Sequence, residues 1–116
     1  VKAISDINTT PTNSMVTEAK KGLAWRKEFK RGGTMVGVTR ANQIISGDNM
    51  SADTVLRMYS FFSRHEVDKQ GQGYNVGEKG YPSAGRIAWA LWSGNPGFSW
   101  SKVQRNKIMK ERGKNV

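Results

Sequence analysis

The chain has 116 residues, 19 Lys+Arg against 9 Asp+Glu for a formal net charge of +10, and no cysteine. That length fits one small domain. The missing cysteine excludes disulfides, thiol nucleophiles and Cys-containing zinc sites, and a single histidine leaves no His-rich cluster, so no metal or cofactor is expected.

Residues 1–13 are polar and read as an extended arm ending near Pro11. The opening VKAISDINTT has no apolar signal-peptide core, and no apolar run approaches the roughly 20 residues of a membrane span, so a non-secreted protein without a membrane partner is expected. Ser14 reads as the cap of a first helix running to about Lys30, with Glu18 near its positive end. Val16, Ala19 and Leu23 recur at helical spacing, and Trp25 and Phe29 stand four apart as an aromatic pair. Arg31-Gly32-Gly33 stops it.

Thr34 caps a second helix through about Ile45, closed by Gly47, with Met35, Val38, Ala41 and Ile45 on one stripe. Ser51 caps a third, with Asp53 in its first turn and Val55, Met58, Tyr59 and Phe62 as an apolar face before Glu66. Residues 68–82, DKQGQGYNVGEKGYP, lack a helical period and read as a glycine-rich surface loop. Ser83 caps a fourth helix carrying Ile87, Ala88, Leu91 and Trp92, which Gly94-Asn95-Pro96-Gly97 is expected to end. A last helix from Ser99 to about Arg112 has charges all around, so only its first turn, with Phe98, Trp100 and Val103, is expected to dock, leaving 104–116 as a basic tail. The pattern predicts an all-α single domain of four to five short helices. Its expected core is Val16, Leu23, Val38, Ile45, Val55, Met58, Phe62, Ile87 and Leu91.

The excess charge is concentrated. Residues 20–31 hold Lys20, Lys21, Arg26, Lys27, Lys30 and Arg31 against Glu28, and residues 102–114 hold Lys102, Arg105, Lys107, Lys110, Arg112 and Lys114 against Glu111, each a local +5. The remainder balances, so the whole excess lies in these two stretches. Clustered like charge costs folding energy that an anionic partner offsets, which points to nucleic-acid backbone. Gly32 and Gly33, between a basic helix end and the next helix start, are a candidate phosphate cradle, though they serve equally as a turn. No Walker lysine follows them. Trp25, flanked by Lys21, Arg26 and Lys27, is the tryptophan placed to stack on a base, whereas Trp89 and Trp92 read as core. His65, beside Glu66 and near Asp68, has no orienting third group and no adjacent nucleophile, so neither catalysis nor metal binding is expected of it.

The stretches AKKGLAWRKEFKRGGTMVGVTRA, VLRMYSFFSRHEVDK and GYPSAGRIAWALWSGNPGFSW together resemble a small basic domain that recurs in tailed-phage genomes, free-standing or appended to head-maturation proteases and other head-related proteins. The resemblance covers roughly residues 11–104, implies a phage setting, and transfers no catalytic or binding residue. The residues and the resemblance together lead to a non-enzymatic, phage-encoded DNA- or RNA-backbone binder in host cytoplasm or virion interior. Its contacts are Lys20, Lys21, Trp25, Arg26, Lys27, Lys30, Arg31, Gly32 and Gly33, with Lys102, Arg105, Lys107, Lys110 and Arg112. The alternative is a capsid-associated or internal head protein whose basic surface meets an acidic protein or the packaged genome.

Overall fold

Hydroxyl side chains at Thr12, Thr34, Ser51 and Ser83 each accept a hydrogen bond from a backbone N–H three residues on, and each opens a helix. In the computed structural model, which describes residues 7–114, these helices are α1 (Asn13–Phe29), α2 (Met35–Ser46), α3 (Ala52–His65) and α4 (Ala84–Leu91), followed by α5 (Gly94–Lys114). A short 3-10 helix, Glu66–Gln70, extends α3. The fold is all-α, with no strand among the described residues. Residues 1–6 of the expected arm lie outside that range. Of the rest, Thr9 is tied to Met50, which donates its N–H to the Thr9 carbonyl and accepts from the Thr9 hydroxyl.

α1 packs on α4 and α2, and α3 on α5. Met15, Ala19 and Gly22 form the inner line of α1. Gly22 is there for proximity: a Cβ would lie 2.7 Å from the Leu91 backbone nitrogen, so only glycine lets α1 and α4 touch backbone to backbone. Trp89, 1% exposed, anchors the centre, edge-on to Phe62 at 4.8 Å and to Phe98 at 5.8 Å. Its indole N–H donates to Asn95 Oδ1 at 3.0 Å.

Several expectations require correction. The cap of α1 is Thr12; Ser14 is exposed inside the first turn, and Glu18 sits one turn further in, bonded to Lys21 and Arg86. The inner face of α2 is Gly37, Arg40, Ala41 and Ile44, leaving Met35 66% exposed, because Gly37 is what faces Leu91 and Trp92. Trp25 pairs edge-on with Tyr81 at 5.7 Å, while Phe29 faces Arg31. The Gly94-Asn95-Pro96-Gly97 run begins α5 instead of ending α4. The break falls at Ser93 and Gly94, both left-handed, and Pro96 sits in a first turn, where its missing N–H loses no helical bond.

The largest correction concerns residues 104–116. They are not a loose tail over their described part: Trp100, Gln104, Ile108 and Glu111 are all buried along one side of α5, whereas Val103 is 51% exposed. Two of those inward residues are polar, so the apolar periodicity that marks a docked helix is weak. The 68–82 segment is likewise partly structured. Its start belongs to the 3-10 helix, Tyr74 is buried, and the Ser83 N–H donates to the Gly73 carbonyl at 2.9 Å.

Candidate nucleic-acid interface

The end of α1 and the turn after it bring Arg26, Lys27, Lys30, Arg31, Gly32 and Gly33 around one surface concavity of about 490 Å³. Lys30 caps α1 in the left-handed conformation, and its N–H donates to the Arg26 carbonyl. Lys27 and Lys30 are exposed, with no side-chain partner among the described residues. Arg26 is half-buried and donates from Nε to the Gly32 carbonyl at 3.2 Å. Arg31 donates from Nη2 to the carbonyls of Gly80 and Pro82, both at 3.1 Å, which ties the turn to the 71–83 segment and leaves Nε and Nη1 for an outside acceptor.

Gly32 and Gly33 are left-handed and pressed on α4, so that a Cβ on Gly32 would lie 2.5 Å from the Ile87 Cβ and one on Gly33 2.6 Å from Leu91 Cδ1. Their first task is therefore the tight passage of the chain over α4. Lys20 is exposed. Lys21 is held 2.8 Å from Glu18 and lies over Trp25. Trp25 also carries the Arg86 guanidinium, 5.0 Å from its ring centre, so two cations of its own chain lie over its ring.

The second basic segment sits elsewhere. Lys102, Lys107, Lys110 and Arg112 are exposed on α5, Arg105 lies on Tyr59 at 4.9 Å, and Arg112 approaches Asp53 at 3.9 Å. None of them lines the concavity. The structure thus gathers the first segment into one place and leaves the second along a separate helix.

Next to the concavity, sharing Gly33 with it, lies a larger cavity of about 630 Å³ between α2, α3 and α4. Segment counting missed it, because its cations come from stretches that balance in sequence: Arg40, Arg57 and Arg64 line it, against the single carboxylate of Asp68. The seven-residue spacing of Arg57 and Arg64, which puts both on one face of α3, was the available signal. Arg40 is 7% exposed. It donates from Nη1 to Gln43, lies over Trp92 at 5.1 Å, and its Nε is buried without an acceptor among the described residues. Burial, and then the charge of Arg57, lower its pKa from the ordinary guanidinium value. His65 is stacked on Phe61 at 4.5 Å, with Nδ1 3.2 Å from Asp68 Oδ2. Glu66 is exposed on the adjoining turn.

Among the described residues no group of three or more His, Cys, Asp or Glu is placed to hold a metal ion, and no helix is long and apolar enough to cross a membrane. Comparison with family models, with curated proteins and with solved structures finds no match to this chain.

Proposed function

We propose that the protein is a non-enzymatic, phage-encoded binder of nucleic-acid backbone with little sequence preference. One observation carries this reading: the end of α1 presents Arg26, Lys27, Lys30 and Arg31 around one concavity whose lining has no carboxylate among the described residues. Four cations gathered at one place repel one another in the free protein, and a line of phosphates offsets that cost. Lys27 and Lys30 supply mobile point charges, and Arg31 supplies planar donors suited to phosphate oxygens. Such contacts position a protein on a strand and carry no base information. The exposed cations of α5 add diffuse attraction from a different part of the surface.

Fluorescence anisotropy at fixed salt tests the reading, with two duplexes of unrelated sequence, a single-stranded RNA and polyglutamate as ligands. Duplex affinities agreeing within about threefold, in the micromolar range common for backbone binding, and exceeding that for polyglutamate, are expected. Tighter binding of polyglutamate, or a strong preference for one duplex, would overturn it.

A further inference from the structure

The cavity between α2, α3 and α4 is a second, chemically different feature. Arg40, Arg57 and Arg64 line it, and none of the three forms an ion pair among the described residues. The one carboxylate, Asp68, faces His65. Its three guanidiniums against one carboxylate give a formal excess of two positive charges, His65 apart. Arg40 cannot relieve this by swinging into water, since it is 7% exposed and lies over Trp92, with its Nε lacking an acceptor. The first turn of α2 adds to the positive field: Thr34 and Val36 line the cavity, and the first N–H groups of a helix have no intrahelical acceptor.

We propose that this cavity is a binding site for a phosphate monoester, the group carried by a free nucleotide or by the phosphorylated end of a nucleic-acid strand. Charge selects the monoester over the internal diester. A monoester carries about −1.5 to −2 at neutral pH, matching the local excess, whereas a diester carries about half of that. Arginine is the side chain whose planar fork fits phosphate oxygens two at a time.

The aromatic wall limits what else is read. Trp92 stacks on Phe61 at 4.5 Å and 8°, and His65 covers Phe61 at 4.5 Å and 28°. Both faces of Phe61 are therefore taken, so Phe61 itself is not free to stack on a base. The proposal does not depend on the α1 concavity being a nucleic-acid surface, and the two fail separately.

The experiment is calorimetric titration of the full chain with inorganic phosphate, dAMP, deoxyadenosine, and a short oligonucleotide with either a 5′-phosphate or a 5′-hydroxyl. Binding of inorganic phosphate and dAMP is expected, with dAMP at least about tenfold tighter than deoxyadenosine. The double variant R57Q/R64Q, altered at two exposed positions, should lose about tenfold or more in dAMP affinity. K79Q, altered at an exposed lysine outside both basic surfaces, should leave it within about twofold. R40Q should lose as much as the double variant, with circular dichroism reporting whether it folds, and R57Q/R64Q decides the matter if it does not. The phosphorylated oligonucleotide binding tighter than dAMP assigns the site to strand ends, and equal affinity assigns it to free nucleotides. Equal affinity for dAMP and deoxyadenosine, or an unchanged dAMP affinity in R57Q/R64Q, would overturn the proposal.

Discussion

Replacing Ile108 by Ala tests whether α5 belongs to the core along its length. Ile108 is 1% exposed and lies between buried Gln104 and Glu111, facing the body of the protein. Truncating a buried isoleucine to alanine costs about 2–5 kcal/mol, the spread reflecting how far the site collapses. Alanine is the better helix former by a few tenths of a kcal/mol, which offsets little of that. Against a total stability of about 5–15 kcal/mol for a domain this size, the loss is large. At about 4 °C per kcal/mol, the melting temperature should fall by about 8–20 °C. Val103→Ala is the matched control: Val103 is on the same helix but 51% exposed, and the change should stay within about 0.5 kcal/mol. Neither substitution alters charge, so urea melts followed by far-UV circular dichroism separate packing from electrostatics. If the two variants melt together, α5 is not docked beyond its first turns and the reasoning fails.

Gly32→Ala places a Cβ 2.5 Å from that of Ile87 in a left-handed residue, and should cost about 2–4 kcal/mol in urea denaturation. Glu18→Gln removes the carboxylate that holds Lys21 at 2.8 Å and Arg86 at 3.3 Å; because Arg86 already has Nη1 buried without an acceptor among the described residues, a loss of about 1–3 kcal/mol is expected in the same assay. Tyr74 has its phenol pKa raised, chiefly by burial and against the opposing charge of Arg86. The folded state therefore keeps a proton that the unfolded chain releases, so the contribution of Tyr74 is present below about pH 10 and is lost as pH rises past it. Melts of wild type and Tyr74→Phe between pH 8 and about pH 11 should show the smaller alkaline loss in the variant.

How much was legible in the sequence depended on how local each signal was. The caps Thr34, Ser51 and Ser83 were readable because a hydroxyl and the N–H it accepts from lie within one turn. The run Thr-Thr-Pro-Thr-Asn-Ser offered several such hydroxyls, and choosing Thr12 among them takes the tertiary position of Met15. On α3, Val55, Met58 and Phe62 were visible as a stripe, whereas Phe61 is buried by Trp92, a partner about 30 residues away. The docking of α5 was hidden because Gln104 and Glu111 turn inward and break the apolar pattern. On α2, Gly37 and Arg40 face inward because Leu91 and Trp92 pack there, which no property of α2 alone reveals. Of the candidate site, the α1 end was legible because its cations lie within six residues of sequence. The arginine cavity was not, because its three cations lie on two helices.

The salt dependence of duplex binding tests the central claim most directly, measured on wild type, K27Q/K30Q and K107Q/K110Q. If about six phosphates are neutralised, the wild-type slope of log K against log[salt] is about −5. Each lost phosphate contact removes about 0.9 from its magnitude, so K27Q/K30Q, at the concavity, should flatten the slope by about 2. K107Q/K110Q, which removes equal charge from the exposed side of α5, should flatten it by less than about 1. A wild-type slope near zero, or equal flattening by the two variants, would contradict a backbone site at the end of α1.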